Sequence, residues 1–118
     1  MLLAAAAGIA ASAAFGSTSS TSGLHGVVRR GPITPICVAG QRCDAPARHF
    51  TLLFSRNGRV AGRTTTNARG RYRIRLAPGR YAVRIGRGGR FKRPDPDVAR
   101  VKAGVLIRVA FHLDTGIR

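Results

Sequence analysis

Asp95 and Asp97 flank Pro96 in the segment GRGGRFKRPDPD, and Asp114 stands four residues before the end of the 118-residue chain. Two carboxylates this close are raw material for general acid–base work or for holding a cation, provided that their surroundings push their proton affinities apart. Here the surroundings are Arg87, Arg90, Lys92 and Arg93. These cations repel a metal ion and leave the aspartates as solvated counter-charges. Asp114, beside Thr115 and near Arg118, reads as a turn or ion-pair residue. Ser55 falls inside a strand pattern, and no Ser–His or Cys–His pair has a spacing known from nucleophilic catalysis. No catalytic residue is assigned, no metal or other cofactor is expected, no small-molecule substrate is evident, and the chain is read as not an enzyme.

Cys37 and Cys43 enclose VAGQR and are the chain's two cysteines. A pair at short spacing suits a disulfide in an exported domain. Closing so small a loop stabilises by about 2–2.5 kcal/mol on chain entropy. Two free thiols in a surface loop are the alternative. A metal site is the weaker one, because C-x5-C lacks zinc-finger spacing and His49 is isolated.

Charge is the strongest compositional signal. Twenty-one Lys and Arg stand against four Asp (Asp44, Asp95, Asp97, Asp114) and no Glu, a formal +17. Such a balance favours anionic partners. Nineteen of the cations are Arg, a bias that fits GC-rich coding, so the shortage of acids is the more informative half. In the Gly/Pro-rich loop Arg84–Asp97, the cations Arg87, Arg90, Lys92 and Arg93 surround Phe91. Basic side chains with an interleaved aromatic suit a single-stranded nucleic acid or another polyanion through charge and stacking. The expected polyanion surface joins these residues to Arg71, Arg73 and Arg75. A plain solvated loop with Phe91 folded back onto the sheet edge is the competing reading. An anionic polymer or envelope component is the favoured partner, with a nucleic acid as the alternative. Carbohydrate binding ranks lower, because Trp is absent and Tyr72, Tyr81, Phe50, Phe54 and Phe111 fall on inward strand positions.

The elements that must hold these groups are strands. Residues 1–13 (to about 16 at most) form an apolar, Ala-rich run that fits a secretory signal peptide with a small-x-small site at Ala11–Ala13. No basic residue precedes it, and an uncleaved anchor or an Ala-rich helix are the other readings. The run is shorter than the ~20 apolar residues a spanning helix needs. A Ser/Thr/Gly linker covers 14–23, and residues 24–118 form the domain. There, period-2 patterns recur and helical ones do not. Strands are predicted at Leu24–Gly31, His49–Arg56, Arg59–Thr66, Arg71–Leu76, Arg80–Ile85, Val98–Gly104 and Val105–Asp114. Asn57-Gly58 and the APG at 77–79 mark tight turns. Tyr72, Ile74 and Leu76 face inward, as do Tyr81, Val83 and Ile85. Val105, Ile107, Val109 and Phe111 share one face, with Arg108 and His112 on the other. The fold class is all-β, a seven-stranded antiparallel β-sandwich.

The stretch TTTNARGRYRIRLAPGRYAVRI carries Thr66, Gly70, Tyr72, Leu76, Pro78, Gly79, Tyr81 and Val83 in the order Thr, turn Gly, aromatic, then L-x-P-G-x-Y-x-V. This resembles the carboxypeptidase regulatory-like domain, also described as transthyretin-like or prealbumin-like. The P-x-C segment after the first strand and the ending DTGIR resemble a group of small exported bacterial proteins with that domain. The resemblance spans about Gly23 to Arg118. It implies a prealbumin-like sandwich of accessory, non-catalytic character. The H-x-x-E pair of the zinc carboxypeptidases is missing, since the chain has no Glu, and the YRGS-like end of transthyretin-fold hydrolases is replaced by DTGIR.

Overall fold

The computed structural model of the chain describes residues 21–117, so the expected signal peptide and most of the expected linker lie outside the described residues. Among those residues there is no helix, and the backbone forms ten strands in two five-stranded sheets. The fold is all-β. Strand β1 (Gly23–Gly31) is the axis of the first sheet. Along one edge it pairs antiparallel with β5 (Arg71–Arg75) and with the two-residue β2 (Ala45–Pro46). Along the other it pairs with β9 (Leu106–Arg108) and β10 (Phe111–Asp114), both parallel. The expected antiparallel pairing is therefore corrected here. The chain's last strand returns beside its first in the same direction, which a long intervening path permits and a hairpin does not. The register of Gly23↔Leu106 carries through to Val28↔Phe111, so β9 and β10 follow one line interrupted at Val109–Ala110.

The second sheet runs β4 (Arg59–Thr65), β3 (Thr51–Arg56), β6 (Gly79–Arg87), with β7 (Arg90–Lys92) and β8 (Val98–Val101) on the free edge of β6. All its pairings are antiparallel. Asn57-Gly58 turns the β3–β4 hairpin, with Arg56 opposite Arg59. Strand β7 lies inside the segment expected to be an irregular loop. Gly88 and Gly89 both adopt positive φ (62° and 83°) and make a two-residue hairpin that puts Arg87 opposite Arg90.

One apolar cluster takes side chains from both sheets: Leu24 and Val28 of β1, Leu52 and Phe54 of β3, Tyr72 and Ile74 of β5, Tyr81, Val83 and Ile85 of β6, and Phe111 and Leu113 of β10. Phe54, Tyr72 and Phe111 meet at its centre, with ring centroids 5.7–6.4 Å apart. The inward alternation of β5 and β6 is as expected. Val105 departs from its expected inward face. It precedes β9 at the rim, where its neighbour Gly23 offers no side chain, and it is 44% exposed.

The segment 66–81 folds as its residue types dictate. The Thr66 hydroxyl is buried, donates to the Ala47 carbonyl (2.5 Å) and accepts from the Phe50 N–H (2.9 Å). The Thr66→Val variant keeps the shape and strands both partners. It should lower stability by about 1–3 kcal/mol, read from the urea midpoint. Gly70 holds φ 77°, and a Cβ there would lie 2.5 Å from the Val28 carbonyl oxygen. Gly70→Ala combines backbone strain with a clash against immovable backbone, and a loss of roughly 1–3 kcal/mol follows. Downstream, the Tyr81 hydroxyl donates to the Ala77 carbonyl (2.5 Å) and closes the APG turn, while Leu76 and Tyr81 are buried on either side of it.

Candidate anion-binding site

Alternation along β1 points His25 and Val27 away from the core. Register then sets their neighbours. His25 lies opposite Arg73 on β5 and Arg108 on β9, and Val27 opposite Arg71. Arg73, His25 and Arg108 form one row across three adjacent strands, where neighbouring side chains stand about 5 Å apart. The central strand carries short residues and the flanking ones long arginines, so the face is a trough. It forms a cleft of about 500 Å³ lined by His25, Val27, Arg71, Tyr72, Arg73, Leu106 and Arg108. No carboxylate lines it. Burial pushes the Tyr72 phenol well above its ordinary value, and it donates to the Val109 carbonyl at 2.7 Å.

One end of this face is neutralised. Arg29 holds the Asp44 carboxylate through two hydrogen bonds, Nε to Oδ2 at 3.0 Å and Nη2 to Oδ1 at 2.9 Å, and Arg42 adds a third to that carboxylate at 3.4 Å. The Arg29 hydrogen bonds hold the Asp44 carboxyl below the usual carboxylate range. A lowered folded-state pKa stabilises above the unfolded value of about 3.9, and that contribution is lost as pH falls through the lowered value. The difference in urea midpoint between wild type and Asp44→Asn should accordingly be present at neutral pH and shrink as pH drops below about 4.

The eight residues of the expected polyanion surface do not share one cleft. Arg71 and Arg73 line the trough, and Arg75 sits on the same face opposite Gly23. Arg87, Arg90 and Lys92 line a second cleft of about 360 Å³ together with Arg30, Phe50, Asp114 and Thr115. The Arg87 guanidinium lies 5.2 Å from the Phe50 ring centre, so one of its faces is already occupied. Arg93 lines a third hollow with Pro32, Asp95 and His112. Phe91 is 40% exposed and lines none of these. The β5 arginines and the 87–93 cations stand on different sheets, β5 in the first and β7 at the edge of the second.

His25 and Arg108 complete the trough and were not among the expected site residues. Arg108 was visible as an outward position, but only the parallel β1–β9 pairing brings it to His25. The trough can bind phosphate, sulfate or carboxylate groups, since guanidinium donors give charge-assisted and bidentate hydrogen bonds. Asp95 and His112 do meet, through reciprocal backbone hydrogen bonds of 2.8 and 2.9 Å. Cys37 and Cys43 form the expected disulfide, with Cα atoms 5.5 Å apart. Reducing it should cost about 2 kcal/mol on chain entropy, checked by denaturation with and without reductant.

No family model matches the chain, and no curated protein matches it. Among solved structures, it is similar to a leucine-rich repeat protein from Bacteroides thetaiotaomicron, at 16% identity and a TM-score of 0.49. That match covers 81% of this chain and 12% of the other.

Proposed function

We propose that this chain is an exported, non-catalytic β-sandwich module of the carboxypeptidase regulatory-like, transthyretin-like type, and that it binds an anionic polymer of the cell envelope along the outward face of its first sheet. The carboxylate-free trough of His25, Arg71, Arg73 and Arg108 carries the reading. A trough lined by one charge sign concentrates anions and raises their rate of association. The disulfide supports export, because such bonds persist in oxidising compartments. The sandwich class draws support from the strand paths. If β7 with β8 and β9 with β10 count as interrupted single strands, and the two-residue β2 is set aside, seven runs remain. The eight motif residues from Thr66 to Val83 fall on turns and inward positions.

The test is binding of the full chain to an acidic cell-wall polymer and to a single-stranded nucleic acid across salt concentrations. Arg71/Arg73/Arg108→Ala should weaken the wall-polymer complex far more than Arg87/Arg90/Arg93→Ala. Preference for the nucleic acid would replace the envelope reading. Equal losses in both variants would remove the trough from it.

A further inference from the structure

The loop between β1 and β2 is built unlike the rest of the surface. Ten consecutive residues, Pro32 to Gln41, carry no charge in a chain of net +17. Ile33, Ile36 and Val38 are 36, 78 and 55% exposed, whereas the β-branched residues of β6 are fully buried. Three exposed aliphatic side chains within one uncharged loop stand out against an otherwise basic surface. The loop is also held in shape. The Cys37–Cys43 disulfide staples it, the Ile33 N–H donates to the Cys43 carbonyl at 2.8 Å, and the Thr34 hydroxyl donates to the Ile36 carbonyl at 2.7 Å. The Arg29–Asp44 pair anchors its base. A pre-shaped tip loses little conformational entropy when it docks.

The loop shares its end of the molecule with the β6–β7 hairpin. Thr115 donates from its hydroxyl to the Pro32 carbonyl (2.6 Å) and from its N–H to the Gly31 carbonyl (3.0 Å). The same Thr115 lines the cleft of Arg30, Arg87, Arg90 and Lys92, and Arg93 shares a hollow with Pro32. The loop that carries the exposed aliphatics thus starts, at Pro32, from the same end of the sheets as a cluster of exposed cations. Three carboxylates stand at this end against these cations: Asp44 is held by Arg29 and Arg42, Asp114 lines both the cationic cleft and the Arg93 hollow, and Asp95 lines the hollow.

We propose that this end docks on an anionic lipid bilayer, with Ile36 and Val38 entering the headgroup–acyl boundary and the hairpin cations contacting lipid phosphates. Charge complementarity selects the occupant. Each basic side chain close to an anionic membrane raises partitioning about fivefold. A few apolar side chains and a polybasic patch together give the two signals that stable anchoring requires. A protein partner fits less well, because three aliphatic residues on one narrow loop fall short of a stable protein interface and lack the aromatic anchors such interfaces favour. This surface is separate from the trough, so it stands or falls apart from the polymer-binding reading.

The test uses the full chain, which has no tryptophan, so that Ile36→Trp is a unique reporter. With phosphatidylcholine vesicles containing phosphatidylglycerol, its emission should shift to the blue and be quenched by brominated acyl chains. Phosphatidylcholine alone should give neither. Ile36→Asp/Val38→Asp should reduce co-sedimentation with the mixed vesicles at least about tenfold, while its thermal melt and its polymer binding match wild type. An unshifted emission with the mixed vesicles overturns the proposal, even if the protein sediments with them, because that is adsorption by charge alone. Equal sedimentation of the double variant and wild type overturns it as well.

Discussion

Phe54→Ala should lower the unfolding free energy by about 3–5 kcal/mol. Phe54 is completely buried on β3, and its ring is packed against Tyr72 of β5 and Phe111 of β10. The substitution therefore removes a central ring by which the second sheet packs on the first. Truncation costs the transfer free energy of the ring plus the cavity it leaves, which two hydrogen-bonded sheets cannot collapse to fill. Domains of this size are stable by only about 5–15 kcal/mol, so the variant keeps a small reserve. The check is a urea titration in which the midpoint falls and the slope stays constant. Phe91→Ala is the matched control. It removes a ring of the same size from an exposed edge strand and should shift stability by no more than about 0.5 kcal/mol.

Arg71/Arg73/Arg108→Ala should weaken binding of an acidic polymer at least about a hundredfold at low salt. Each charge-assisted contact contributes about 1 kcal/mol or more, and 1.4 kcal/mol is a factor of ten. The salt dependence discriminates better than the affinity. Removing three phosphate contacts from a single-stranded nucleic acid should reduce the slope of log affinity against log salt by roughly 2. Loss of general charge would flatten both variants alike, whereas loss of a specific trough flattens this one alone. The three positions are exposed and outside the core, so melting temperature should hold, and a large drop in it would assign the arginines to stability instead.

The two predictions rest on features of different legibility. Phe54 was readable as an inward residue because HFTLLFSR alternates, and the burial of Tyr72, Ile74, Tyr81 and Val83 followed from the same period. The trough was half readable. Arg71, Arg73 and Arg75 were recognisable as an outward row. Their joining to His25 and Arg108 was not, since it depends on β1 lying between β5 and β9. The Gly88-Gly89 hairpin carried a turn signal in plain view, but the surrounding glycines and prolines masked the three-residue strand after it. Ile36 and Val38 carry no sequence signal of exposure, because a loop without alternation has no predicted face.

What the sequence determined by itself was local. The all-β class, the inward and outward faces of β5 and β6 and the Asn57-Gly58 turn all follow from the pleat of an extended backbone and turn chemistry. What the tertiary structure alone decided was adjacency: the parallel return of β9 and β10 along β1, the division of the basic residues into separate clefts, and the placing of the apolar loop's start beside Thr115 and Arg93. Alternation is a property of each strand's own pleat and needs no partner. The choice of neighbour is a competition among closures of long chain segments, settled by which arrangement buries all the inward faces at once, and no single stretch of residues encodes that outcome.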